Sequence, residues 1–257
     1  EGIDSRKVIP SEINTPSELT MYEAERQSSF FTTGGLAAVH VEDRSKQGIW
    51  NGFKNKETYA TSGPQILLWF DLITTSETFP MGSKVNLEKN PVFEVKAVGS
   101  FKQKPGCPDF GLSANDNARL KKICGGECFN PSNERRNITR IEVIKITPQN
   151  YNDEPVDELI EDTWKVFDCK PSQDGCKIRF SDREFQRNGR DSVYYVRAIE
   201  EPSLRVNGDN LRCEYDDQGN CIKVNICHGS YLTDKKDDCV SLSEERAWSS
   251  PIYVNKI

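Results

Sequence analysis

The chain has 257 residues, a net charge of −6 and a mean hydropathy of −0.67. Its 34 basic residues are interleaved with 40 acidic ones, which excludes the clustered phosphate-neutralising charge that nucleic-acid binding needs. No segment reaches about eighteen consecutive apolar residues, so no membrane-spanning helix is expected.

The sequence starts at Glu1, with no Met and no signal peptide, and reads as a processed, truncated or proteolysed chain. Residues 1–33 are polar, contain Pro10 and Pro16, and read as a connector with a short helix over 17–27 capped by Ser17. Residues 34–64 then predict one α/β unit. An apolar run over 36–41 suits a strand buried on both faces. Asp43 or Ser45 can cap the helix that follows. On that helix Ile49, Trp50 and Phe53 form an apolar stripe, while Lys54, Asn55 and Lys56 face water. Gly48 and Gly52 weaken it by about 1 kcal/mol each relative to Ala, but lie on one face and let a neighbouring backbone come close. A strand over 58–61 stops at Ser62-Gly63-Pro64. A lone α/β unit cannot cover its own sheet edges, so the chain is expected to be the tail of something larger. The terminal unit is taken as residues 34–72 and a β-rich domain as 73–257.

Beyond Gln65 the pattern is mostly strands: 66–72, 92–98, 141–146, 163–167, 193–199, 221–226 and 251–254. One helix is expected over 116–124, capped by Asn115 and ended by Gly125. The fold class is therefore α+β, mostly β, with a sandwich-like C-terminal domain.

Nine cysteines are many for a chain with two Met and two His. Cys169 and Cys176, Cys213 and Cys221, and Cys227 and Cys239 each bracket a polar turn. That spacing fits loop-stapling disulfides formed in an oxidising compartment, periplasmic or extracellular. Cys107, Cys124 and Cys128 leave an odd thiol, and Cys107 can pair with either of the other two. Zinc is the competing use of Cys124-Gly-Gly-Glu-Cys128 and Cys227-His228, but no matching second half-site is present.

The two histidines, His40 and His228, form no His-x-His or His-Glu-x-x-His, so no His-rich catalytic metal site is expected in this chain. His40 and Glu42 close a strand and can reach a site completed by other residues; alternatively His40 is a hydrogen-bonded core residue and Glu42-Asp43 favours the helix N-terminus. Thr61, Ser62 and Gly63 offer hydroxyls and backbone N–H groups for a phosphate, or form an ordinary turn. Asp216-Asp217-Gln218-Gly219-Asn220 lacks the downstream Glu of a calcium loop and reads as a hairpin turn. Asn137-Ile138-Thr139 is a glycosylation sequon.

The run from Gly34 to Ile66 is similar to a signature of a largely bacterial family, domain of unknown function 3604. Ordered matches follow: Phe79-Pro80-Met81-Gly82, Arg140-Ile141-Glu142-Val143-Ile144-Lys145, Tyr194-Tyr195-Val196-Arg197 with Glu201-Pro202, and Arg246-Ala247-Trp248-Ser249-Ser250-Pro251-Ile252-Tyr253-Val254. That family looks like a branch of the PHP (polymerase and histidinol phosphatase) superfamily of metal-dependent phosphoesterases. The resemblance implies that the metal ligands, for Zn, Mn or Fe, lie in an upstream barrel portion of the same protein, and none carries over here. This chain would then hold the last α/β element of the barrel and a C-terminal β-domain, with no catalysis of its own. The alternative is a non-catalytic secreted binding or structural module. His40 stands where the family pattern has Trp, and Arg44 and Lys46 replace Asn and Arg, so no ligand or substrate role is inherited at these positions.

Overall fold

The computed structural model describes residues 34–114, 116, 118–120, 129–227, 233–234 and 236–257. The connector, with its expected helix, and Cys124, Cys128 and His228 lie outside them. Two facing sheets make up most of the described structure, and no barrel closes among these residues.

The larger sheet has eight strands: β1 (Leu36–Val39), β2 (Thr58–Thr61), β5 (Lys84–Leu87), β9 (Ile138–Ile146), β10 (Ile160–Asp168), β12 (Ser192–Glu200), β17 (Arg246–Ser249) and β18 (Ile252–Lys256). β12 runs through its middle. One edge of β12 pairs with β9, which pairs in turn with β10. The other edge pairs with β17 at Arg197–Ile199 and with β18 at Ser192–Tyr194. β17 and β18 are thus one strand broken at Ser250-Pro251, where Pro supplies no N–H. At the break the Val196 N–H donates to Ser249 Oγ at 3.0 Å, so the ladder is mended by a side chain. β2 extends the sheet from β17, β1 lies outside β2, and β5 joins β18 in parallel.

The second sheet has the order β11 (Cys176–Ser181), β6 (Val92–Val98), β3 (Leu67–Ile73), β4 (Thr78–Pro80), all antiparallel. Alternation places Leu68, Phe70, Leu72, Phe93, Val95 and Ala97 on its inner face. They meet Ile141, Val143, Val196, Ala198, Ile252 and Val254 of the larger sheet. Phe93 and Tyr194 bridge the sheets with ring centroids 4.7 Å apart, and Trp164 packs on both Phe180 and Tyr194.

Three two-stranded ribbons decorate this sandwich: β7 (Phe101–Pro105) with β8 (Phe129–Arg135), β13 (Ser203–Val206) with β16 (Val240–Ser243), and β14 (Glu214–Tyr215) with β15 (Cys221–Lys223). Disulfides Cys169–Cys176, Cys213–Cys221 and Cys227–Cys239 are all formed, with Cα atoms 5.7, 5.8 and 5.4 Å apart. Cys107 is disulfide-bonded as well. Such bonds persist in oxidising compartments.

The calcium-like run is the hairpin turn expected of it: Asp216 Oδ1 accepts from the N–H groups of Gln218 and Asn220, and Gly219 takes φ +80°. The strand expected over 221–226 stops at Lys223. Beyond it, the Asn225 N–H donates to Leu211 O and the Cys227 N–H to Asn207 Oδ1, drawing the chain onto a left-handed turn over Asp209–Leu211. The expected helix over 116–124 is described only in part; residues 118–120 are helical, and Asp116 Oδ1 accepts from the Arg119 N–H.

The opening run differs most from expectation. Its strands β1 and β2 are present, joined by helix α1 (Lys46–Lys54), but they pair antiparallel, Leu36 with Thr61 and Val39 with Thr58. β1 is not buried on both faces: it is the outer strand of its sheet, and Leu36 is exposed. The apolar stripe of α1 also faces outward, with Trp50 64% and Phe53 51% exposed. The reason is the glycine face opposite. A Cβ on Gly52 would lie 2.7 Å from His40 O and 2.5 Å from Val39 Cγ2, and one on Gly48 would lie 2.7 Å from Asp43 Oδ1, so α1 turns its glycines, and not its aromatics, toward β1 and the loop after it.

Candidate functional site

A cleft of about 360 Å³ opens between the end of β1 and α1. Its walls are His40, Val41, Glu42 and Asp43 on one side and Gln47, Gly48, Asn51, Gly52 and Asn55 of the helix on the other, with Glu57 at the foot. The close glycine contact holds these walls together. The Gln47–Asn51–Asn55 spacing puts three amides on one helix face.

Local chemistry fixes the rim. Ser45 caps α1 by accepting from the Gly48 N–H at 2.9 Å, and Asp43 Oδ1 accepts from the Ser45 N–H at 2.7 Å. Both residues named as cap candidates are therefore used. These hydrogen bonds from Ser45 hold the Asp43 carboxyl below its ordinary value, so it is ionised at neutral pH. Gln47 Nε2 donates to Asn51 Oδ1 at 2.8 Å, and Asn55 Nδ2 to Glu57 Oε1 at 3.1 Å.

His40 lies across the floor. Its N–H donates to Glu57 O, its Nε2 is 2.8 Å from Leu68 O of β3, and its ring packs on Tyr59 and Trp69. The half-buried ring thus ties the β1 end to the second sheet while contributing to the cleft wall. Glu42 stands exposed on the rim. Below His40, Asp71 of β3 pairs across the sheet with Glu94 of β6. Burial first, then the Glu94 charge, pushes the Asp71 carboxyl above its ordinary value, against the pull of His40 and Lys177.

Thr61, Ser62 and Gly63 are not part of this cleft. In a parallel pair, the ends of both strands share one side of the sheet; the antiparallel pairing sends them to opposite ends of the hairpin. There the groups proposed as a phosphate cradle are already engaged. The Ser62 N–H donates to Arg246 O at 2.9 Å, Ser62 Oγ donates to Glu245 and accepts from the Arg246 N–H, and the Gly63 N–H donates to Thr61 Oγ1. Glu245 is buried and paired with Arg205 at 2.9 Å, so a carboxyl group, and not a cation, receives the Ser62 hydroxyl. The sequon Asn137 is likewise engaged, donating to Glu201 and accepting from the Ser172 N–H.

Sequence reasoning missed Asn51, Gln47 and Glu57 as cleft residues. The i, i+4 amide pair was the signal available for the first two; Glu57 follows from strand pairing alone. Among the described residues no group of three His, Cys, Asp or Glu is placed to hold a metal ion. The cleft walls carry three carboxylates, the His40 imidazole and no Lys or Arg. Chemically the cleft accepts hydrogen bonds and attracts cations.

No helix of the described residues is long and apolar enough to cross a membrane. No curated protein and no solved structure matches the chain. Residues 4–103, a stretch that includes β1 through β6, α1 and every wall of the cleft, match the family model described as Protein of unknown function (DUF3604), which supports the family resemblance of this part of the chain.

Proposed function

We propose that this chain is the C-terminal portion of an exported, PHP-like metal-dependent phosphoesterase, in which it docks against an upstream barrel portion of the same protein. In such an enzyme the upstream portion would hold the divalent metals, which would supply an activated water for attack on the phosphoester. The carrying observation is the outward apolar face of α1. Ile49, Trp50 and Phe53, with Leu36 on the adjoining outer strand, are 38–64% exposed, an arrangement typical of an interaction surface. Docking there would leave the cleft at the border of the two portions, where His40 and Glu42 would face the substrate entrance. The three disulfides accord with a periplasmic or extracellular setting.

A non-catalytic binding module is the second reading, favoured by the sign of the cleft. Glu42, Asp43 and Glu57 repel a phosphoester and suit a polyhydroxylated or cationic group. One experiment separates the two. The chain is produced together with its upstream coding region, and phosphomonoester and phosphodiester hydrolysis is measured with Mn²⁺ and Zn²⁺. The expected result is metal-dependent turnover by the assembled protein, none by residues 1–257 alone, and weaker association after Trp50→Lys with Phe53→Lys. Turnover by the isolated chain, or an inert assembly, refutes the proposal.

A further inference from the structure

Lys145 and Asp182 form the most deeply buried ion pair among the described residues. Lys145 Nζ lies 2.7 Å from Asp182 Oδ2, with side chains 5% and 0% exposed. Lys145 is on β9 of the larger sheet, and Asp182 follows β11 of the second sheet, so the pair spans the sandwich. Two further groups converge on the same carboxyl. The Tyr194 hydroxyl donates to Oδ2 at 2.6 Å, and the Glu184 N–H donates to Oδ1 at 2.9 Å. The Trp164 ring lies 5.2 Å from Lys145 Nζ and excludes water from that side.

From this constellation we infer that Lys145 and Asp182 condense into a side-chain amide that covalently joins the two sheets. The first step moves a proton from the Nζ ammonium to Oδ2 along their 2.7 Å contact. The neutral amine is then a nucleophile already held at the carboxyl. Nζ forms a bond to Cγ, and the negative charge gathers on Oδ1, where the Glu184 N–H receives it. The Cγ–Oδ2 bond breaks and Oδ2 departs as water with two protons originally on Nζ, assisted by the Tyr194 hydroxyl as a hydrogen-bond donor to the leaving oxygen. The ammonium loses two hydrogens, the carboxylate loses one oxygen, and no oxidant or other reactant is needed. Burial and the neighbouring Asp182 keep Tyr194 protonated, raising its phenol well above the ordinary value.

A second amine stands nearby and tests the assignment. Lys165 Nζ donates to Ser181 O at 2.8 Å and lies over Trp164, but its hydrogen bond goes to a backbone carbonyl and not to Asp182.

The test is mass spectrometry of the purified 257-residue chain after full reduction of its disulfides. The expected mass is one water below that of the sequence, and trypsin is expected to release residues 141–165, uncut after Lys145, joined to residues 180–183. Lys145→Arg keeps the ion pair and is expected at full mass; Tyr194→Phe is expected to give a mixture that converts slowly on incubation. A wild-type chain at full mass overturns the inference. So does a water lost instead at Glu1 by N-terminal cyclisation, a link at Lys165, or a water loss that persists in Lys145→Arg.

Discussion

Replacing Gly52 by Ala tests whether the glycine face is what seats α1. In an open helix interior this change stabilises by about 1 kcal/mol, because Gly loses more backbone freedom on folding than Ala. Here the new methyl meets Val39 Cγ2 at 2.5 Å, His40 O at 2.7 Å and Val41 Cγ1 at 3.1 Å. Neither close neighbour yields easily. Val39 is β-branched and stiff at χ1. His40 O belongs to a backbone held by the bond from its own N–H to Glu57 O at 2.8 Å. Overpacking of this kind costs about 1–3 kcal/mol, so the clash outweighs the propensity gain and leaves a net loss of about 1 kcal/mol. For a chain of this size that lowers Tm by about 2–4 °C. Thermal unfolding followed by circular dichroism reads the shift, with Trp50→Ala on the exposed face as a control expected to stay within about 0.5 kcal/mol of wild type. A Gly52→Ala chain that melts above wild type would show that α1 is not seated on β1 by its glycines, and the cleft walls would lose their physical basis.

Other substitutions probe the layers beneath the cleft. Asp71→Asn is expected to raise Tm at pH 7: burial and Glu94 raise the folded-state pKa of Asp71, so the folded state penalises its charged form. The gain should be full above that raised value and vanish as pH falls to the ordinary carboxylate value of 3.8; an equal gain at pH 3 would refute the titration. Converting both Cys169 and Cys176 to Ser opens a link of sequence separation 7 between β10 and β11 and should cost about 2.5 kcal/mol by chain entropy, read as a lower denaturant midpoint. Arg197→Met removes one of the two arginine partners of Glu142, 2.8 Å from Nε, and a partner of Asp162, 2.7 Å from Nη2; Glu142 keeps Arg140 at 2.8 Å, so the loss should be about 1–2 kcal/mol.

Most long core strands were legible because burial writes itself into sequence with period two, while β5, β11 and β17, which also feed the core through Val85, Phe180 and Ala247, were not. Val92–Val98 alternates and is β6 to the residue, and the apolar run before Thr74 is β3. The local disulfides were legible for a similar reason: each pair closes a short polar turn, which chain geometry favours over distant partners. The ribbons β7/β8 and β13/β16 were not, since exposed strands such as Phe101–Pro105 carry no alternation to read. The stripe on α1 misled because amphipathicity says that a helix has an apolar face, and not that the face is buried within the same chain. Gly48 and Gly52 were the better guide: close approach is a demand that only a small residue meets. Glu57 enters the cleft through the strand pairing that joins His40 to it, which the local pattern does not show.

Strand direction governs how the opening run can take part in any reaction. Had β1 and β2 been parallel, His40, Glu42 and the hydroxyls of Thr61 and Ser62 would stand at one end of a sheet, carboxylate and cradle together. Antiparallel pairing separates them and consigns Thr61–Gly63 to a network with buried Glu245 and Arg205. What remains at the cleft is acidic: ionised Asp43, Glu42 on the rim, and Glu57 beneath. An approaching phosphoester is repelled unless cations intervene, whereas sugar hydroxyls find carboxylate and amide acceptors. If the proposed assembly with an upstream phosphoesterase portion holds, the acidic cleft would suit the hydroxylated remainder of the substrate better than its phosphoryl group. Glu42→Lys discriminates. If the cleft receives that remainder, the added bulk and the loss of an acceptor raise KM with kcat little changed. If the cleft borders the phosphoryl group, the reversal of charge lowers KM.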